Sequence, residues 1–446
     1  MFPTRAIALL LAAPLPVLAL VTSAPVRSAG GPSSGAAQDP HLKESDLKKL
    51  GEALRDYIDD ERSAEAESEV KEAMDKLARK LEKTAAAGNV LASPPDLGLA
   101  YWLSYEYGRK RPKKGKIADG EYELEGAGFT RDDPLRYSVW APDDYSAKNG
   151  PYPVILSLPD SAAKGKGDAW TPDQHITENW MDNDLRNGVI LATPEMPEDA
   201  GTWSAVAIAR VLVLMRAISE EYAVDFDKIF LCGHGAGVET AAYIADSFPD
   251  RFAGVIGMAG DLGDVKPDNF RNLATYFAGG GGRVTAFQEA AEALGYSNCT
   301  VEPAGTEKDV WNWVQATSRA AYPEEIVLVP GSPYPRRSAW LEVPPSEYDG
   351  DARISARVDR ATNTFTVEGK GVTDFVLHLN DVLVDLNKPI TVIANGQESR
   401  AQITRNYKAF LNNVYFGRCD PGRVFVASQD AHLPTVTEEE GGDEGN

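Results

Sequence analysis

Ile229-Phe-Leu-Cys-Gly-His-Gly-Ala-Gly237 is the stretch on which the reading of this chain turns. Ile229 to Cys232 is an apolar strand, and the glycines at 233, 235 and 237 mark a turn tight enough for a helix to start directly behind it. Helical spacing then predicts a helix from about Val238 to Ser247. Toward the N-terminus, Tyr137-Ser-Val-Trp140, Val154-Ile-Leu-Ser-Leu158 and Gly188-Val-Ile-Leu-Ala192 read as strands, and Ser204 to Tyr222 as a helix. Toward the C-terminus come the strand Phe252-Ala-Gly-Val-Ile-Gly257 and the stretch Asn272 to Ala278. Short apolar strands alternating with helices predict a mostly parallel sheet covered on both faces, spanning 137–321.

The flanks follow other periods. Arg5, the apolar run Ala6 to Val21 and small residues around Ser23–Ala24 or Ser28–Ala29 read as a secretory signal peptide over 1–24. Pro14 and Pro16 interrupt the run, which falls short of a membrane span. Residues 25–40 read as a flexible linker. Leu47, Leu50, Leu54, Tyr57 and Ile58, then Val70, Ala73, Met74, Leu77 and Leu81, predict a helical hairpin over 41–88. It ends at Gly88 and is expected to pack on the main domain. Residues 89–136 form a connecting segment. Beyond Tyr322, the runs Ala352–Val358, Thr364–Val367, Phe375–Leu379 and Ile390–Ala394 predict a small β-rich C-terminal domain over 322–430, with Asn395-Gly396 as a hairpin turn. The acidic, glycine-rich tail, 431–446, is expected to be disordered.

A formal net charge of −22 argues against nucleic acid or an anionic membrane as partner. Cys232 reads as a buried strand residue, while Cys299 and Cys419 could pair in an exported protein. The five histidines, His41, His175, His234, His378 and His432, have no zinc-like spacing, so neither metal nor cofactor is expected.

Gly233-His-Gly-Ala-Gly237 resembles the nucleophile elbow of α/β-hydrolases, G-x-S-x-G, with Gly235 at the serine position. The wider resemblance, from Tyr137 to Ala321, is to secreted esterases of the polyhydroxybutyrate-depolymerase, feruloyl-esterase and dienelactone-hydrolase type. It implies an α/β-hydrolase fold carrying the N-terminal helical segment and the β-rich C-terminal domain. It also places the acid position at Gly282 and the histidine position at Thr306, with Glu307 beside it. No histidine occurs between His234 and His378, so the base is missing whatever the register. The oxyanion loop falls on Pro159 and Asp160: proline has no N–H to donate, and a carboxylate repels developing negative charge. Glycine at the elbow also relieves a backbone strain of roughly 1–3 kcal/mol.

Several other residues invite a catalytic reading. His234 sits inside the elbow and reads as a half-buried residue bonded to backbone. His175 reads as a surface histidine with no nucleophile beside it, and Asp160 and Asp261 as solvated loop carboxylates. Trp311 and Trp313 read as packing residues of the last helix. The expectation is a secreted or periplasmic pseudo-esterase that binds a carbohydrate, an ester polymer or another protein, or serves a structural role. Two alternatives are an active hydrolase using His234, Asp160 or Asp261, and an interaction module acting through the N-terminal helices.

Overall fold

The computed structural model describes residues 40–59, 62–81, 89–105, 113–124, 127–160, 171–196, 204–331, 333–345 and 347–435. The signal peptide, nearly all of the linker, Gly88 and residues 436–446 of the tail lie outside these residues.

Three helices come first: α1 (Glu44–Asp59), α2 (Ala64–Leu81) and α3 (Pro94–Ser104). The main sheet then takes β1 (Ile117–Tyr122), β2 (Leu135–Trp140), β3 (Tyr152–Leu158), β4 (Ile190–Pro194), β5 (Val224–His234), β6 (Gly254–Met258), β7 (Ala274–Ala278) and β8 (Cys299–Glu302). Interleaved with them are α4 (Pro172–Asn179), α5 (Asn183–Gly188), α6 (Ala205–Glu221), α7 (Gly237–Ser247), α8 (Gly282–Ala293) and α9 (Glu307–Ala316). The eight strands lie in the order β1-β2-β4-β3-β5-β6-β7-β8. β2 is antiparallel to both neighbours, and every pair from β4 to β8 is parallel. With the sharp β5–α7 turn, this is the α/β-hydrolase fold.

Period-two alternation explains why the strands read as unbroken apolar runs. On β3, Val154, Leu156 and Leu158 enter one core layer, with residues of α6, α7 and α8. Ile155 points the other way, into a layer with residues of α4, α5 and α9. Both faces are dry, so both parities are apolar. Trp311 and Trp313 pack against this second layer, in keeping with their reading as packing residues.

The C-terminal region builds two smaller sheets from β9 (Glu325–Leu328), β10 (Arg337–Ser338), β11 (Leu341–Glu342), β12 (Tyr348–Asp359), β13 (Thr364–Val372), β14 (Asp374–Leu379), β15 (Ile390–Ala394), β16 (Gln397–Ala401) and β17 (Ala427–His432), with α10 (Tyr407–Tyr415) before β17. Five strands run β16-β15-β13-β12-β9 and four run β10-β11-β14-β17. Asn395 and Gly396 join β15 to β16 with φ of 44° and 82°, the left-handed pair a two-residue hairpin needs.

Four expectations are corrected. The apolar faces of α1 and α2 share one core with α3 and the C-terminal sheets, so the hairpin belongs to that lobe and not to the α/β domain. The α/β domain begins with β1 at Ile117, inside the supposed connecting segment. Residues 431 and 432 close β17, so they are not part of a tail. Cys299 and Cys419 are free thiols, one opening β8 and the other buried near Phe425.

A buried ion cluster joins the two lobes. The Asp250 carboxylate, just beyond α7, accepts from Arg423 Nη1 at 2.7 Å, from Arg337 Nε at 3.2 Å and from the Ala339 amide at 3.1 Å. Arg319, following α9, donates to both Asp420 oxygens at 2.9 and 2.7 Å and to Asp227 at 2.8 Å. Three guanidinium groups thus meet three carboxylates, and Arg423 is fully enclosed. Burial alone would raise the Asp250 carboxyl, but Arg423 and then Arg337 hold it far below the usual range. Asp420 is likewise pulled down to about 2, with Arg319 outweighing burial.

Candidate functional site

The elbow forms where β5 ends and α7 starts without any side-chain N-cap of its own. Gly235 has φ of 53°, and its amide donates to the Met258 carbonyl at 3.0 Å, tying the turn to β6. Gly237 must be glycine because its Cβ would meet the Leu158 and Pro159 carbonyls at 2.6 and 2.7 Å. The decisive neighbour is Asp160, next to the end of β3. Its Oδ1 accepts from the Ala236 amide at 3.1 Å. A Cβ built on Gly235 would lie 2.8 Å from the Asp160 Cβ and closer still to the carboxylate. The amide after the nucleophile position is one of the oxyanion donors of this fold. Here that donor is bonded to an internal carboxylate, which also fills the space a nucleophile would need. Asp160 is therefore no solvated loop residue: it caps α7 from outside, where negative charge is favoured.

Asp261 does the same for α8. Its Oδ1 accepts from Leu262 at 3.0 Å and from Val284, in the first turn of α8, at 3.1 Å. The cap residue of α8 is Gly281, which has no side chain for the task. Both aspartates read as loop carboxylates are thus consumed by helix starts that lack caps.

Gly282 opens α8 beyond β7, is exposed, and a Cβ added there would meet nothing within 4 Å. Thr306 is the exposed N-cap of α9 beyond β8, in a capping box with Asp309. Glu307 accepts from the Asp182 amide at 2.7 Å, linking α9 to the start of α5. The loops after β6, β7 and β8 converge on one rim, since a Cβ on Gly279 would lie 3.7 Å from Ala259 and 3.8 Å from the Pro303 carbonyl. Along that rim the two residues that the resemblance assigns to the acid and the histidine are a bare glycine and a capping threonine.

His234 and His175 belong to a buried group on the α4 face of the sheet. His175 lies on α4, is 1% exposed, and has Nε2 2.8 Å from Ser157 Oγ, so its reading as a surface residue is corrected. The Trp180 indole N–H donates to the same Ser157 Oγ at 2.9 Å, and the Asn179 amide lies 3.1 Å from His175 Nδ1. His234 is half-buried and stands edge-on to His175 and to Trp180, with ring centres at 5.1 and 5.2 Å. Its ring nitrogen Nδ1 faces the Cys232 sulfur at 4.0 Å, not a backbone group. Ser157 and His175 have the chemistry of a nucleophile and a base, yet Ser157 is fully buried and no substrate can reach it.

Burial, and then His234, push His175 down to about 3. Burial pushes His234 down to about 4, with Asp160 opposing. Both imidazoles are neutral when folded but take up protons below about 6.5 when unfolded. Stability is therefore lost as the pH falls from about 6.5 toward 4. Relative to His175→Gln, the wild-type chain should lose about 2 kcal/mol between pH 6.5 and 4.5. Urea midpoints at the two pH values, compared between the chains, measure this; a constant difference would refute it.

No group of three or more histidine, cysteine or acidic residues able to hold a metal occurs among the described residues. No helix among them is long and apolar enough to cross a membrane. No family model matches the sequence, and no curated protein matches it.

Solved structures do. A thermostable esterase is similar over 46% of this chain and 64% of its own length, with 13% identity and a TM-score of 0.37. A ferulic acid esterase from Anaeromyces mucronatus is similar over 46% of this chain and 94% of its own, with 16% identity and a TM-score of 0.34. The S-formylglutathione hydrolase of Staphylococcus aureus is similar over 45% and 97%, with 10% identity and a TM-score of 0.32.

Ser157, Asn179, Trp180 and Ala236 were not singled out from sequence. Ser157 carried a faint signal, as the one polar residue in the apolar run Val154 to Leu158. Ala236 carried none, because its part is played by a backbone amide.

Proposed function

We propose that this chain is a catalytically inactive α/β-hydrolase-like protein, exported from the cytoplasm, that acts by binding or as a structural module. The observation that carries this reading is the Asp160 carboxylate, which lies on the Ala236 amide and against Gly235 where a nucleophile and an oxyanion would have to sit. Acyl transfer needs an attacking atom, a base and a donor for the oxyanion, and each is missing or engaged elsewhere. An active hydrolase built on Asp160, Asp261 or His234 draws no support, since the aspartates cap helices and His234 is stacked among buried rings. The apolar faces of α1 and α2 are covered within their own lobe, which favours a scaffold role for them. A carbohydrate, an ester polymer or another protein remains the proposed partner class. The test is incubation of the full chain with a serine-directed fluorophosphonate and with para-nitrophenyl esters. No adduct and no turnover above a denatured control are expected; a stoichiometric adduct anywhere along the rim would overturn the reading.

A further inference from the structure

We propose that the cleft between the two lobes binds a small aromatic monocarboxylate. The cleft is a cavity of about 890 Å³ enclosed by α6, the ends of α1 and α3, and the chain after α10. That volume is in the range of small-molecule sites, and a junction between lobes is a usual place for one. It is remote from the elbow: Phe226 and Ile229 on β5 line it, and Gly235 lies about 20 Å further along the same strand.

The walls are apolar and ring-rich, with Tyr101, Tyr105, Phe226, Met215, Val414 and Tyr415 among them. Tyr101 stacks on Tyr105 at 5.7 Å, and Tyr105 meets Phe226 at 5.6 Å, so a cluster of rings backs one wall and offers edges and partly covered faces to an aromatic ligand. Four arginines also face the cleft, and three are neutralised. Arg55 is paired with Asp59 and Glu220, Arg216 with Glu220, and Arg319 with Asp227 and Asp420. Arg251 is different. It donates to the Gly417 carbonyl and, among the described residues, has no carboxylate at ion-pair distance. The acids in its electrostatic reach, Asp250 and Asp420, are already ion-paired to Arg423, Arg337 and Arg319, so this half-buried guanidinium, beside an aromatic wall, matches a ligand with one carboxylate and a ring. A second carboxylate would face Asp59, Glu220 and Asp420, which line the same cleft.

The test is calorimetric titration of the full chain with 2-naphthoate and with the uncharged 2-naphthamide. Naphthoate should bind, and the amide should bind about tenfold more weakly. Arg251→Gln should remove that difference, Arg251→Lys should keep part of it, and Met215→Trp should block both ligands by filling the cleft. Each variant's melting curve reports whether it folds, and Met215→Trp leaves every charge in place. Absence of naphthoate binding at millimolar concentration, equal binding of the amide, or binding that survives Met215→Trp would each overturn the proposal. None of these outcomes bears on the elbow.

Discussion

Arg423→Ala should lower the unfolding free energy by about 3–5 kcal/mol, because it leaves the buried Asp250 carboxylate without its shortest ion pair. Arg423 is fully enclosed and Asp250 nearly so, which rules out rescue by solvent at either end. Replacing both members with neutral groups, Asp250→Asn with Arg423→Met, should cost less than the sum of the single changes, since both singles break the same ion pair, although Arg337 then loses its carboxylate. The acid response gives a second readout. A carboxyl depressed in the folded state stabilises above its unfolded value of about 3.9 and loses that contribution as the pH falls through its folded value. Asp250 is depressed by Arg423 and Arg337, so the wild-type chain should lose stability steeply below pH 4 and Arg423→Ala should lose less there. Chemical denaturation at pH 7 and at pH 3 measures both. A single-variant loss below about 1 kcal/mol, the scale of an exposed pair, would mean that the cluster does not hold the lobes together.

On the proposed reading, placing a serine at the elbow should not create an esterase. Gly235→Ser places a Cβ where the Asp160 side chain lies and puts a non-glycine residue at φ of 53°. A cost of about 1–3 kcal/mol is expected from the backbone alone. Asp160→Gly added to Gly235→Ser should return part of the lost stability. Neither variant should turn over an ester, because loss of the base alone costs about 10⁶ in kcat in a serine hydrolase and no histidine occurs between His234 and His378. Thermal melts and fluorophosphonate labelling decide the matter. Rapid labelling of Gly235→Ser on its own would show that Asp160 does not obstruct the site.

What the sequence made legible follows physical lines. β3 to β6 announced themselves because parallel strands buried on both faces are continuous apolar runs, while β8 was missed because it is a short edge strand exposed at its end and only half-buried elsewhere. Helix α6 was bounded well, with Ser204 as its N-cap and Tyr222 at its end. β1 was missed because Ile117-Ala-Asp-Gly-Glu-Tyr122 is an edge strand with little apolar content. Helix α3 was missed for the opposite reason: it is buried on nearly all sides, so its residues show almost no face. Helix α10 was hidden in a region whose other segments alternate as strands. His175 was misplaced because α4 is polar apart from Ile176, and its burial depends on Ser157 and Trp180. The absence of any histidine between His234 and His378 could be read by counting, which needs no geometry. The engagement of Asp160 and Asp261 could not, because each caps a helix that starts far from it in the chain.

The shared core of the flanking segments has a consequence for how the molecule is assembled. Tyr407 donates to Glu67 at 3.2 Å across 340 residues, and the entire α/β domain lies between them. Helices α1 and α2 are made early and pack on each other and on α3, yet the part of their core that the C-terminal region supplies is made last. Closure over such a distance is slow. The hairpin therefore waits, with part of its apolar face open, until the last strands are in place.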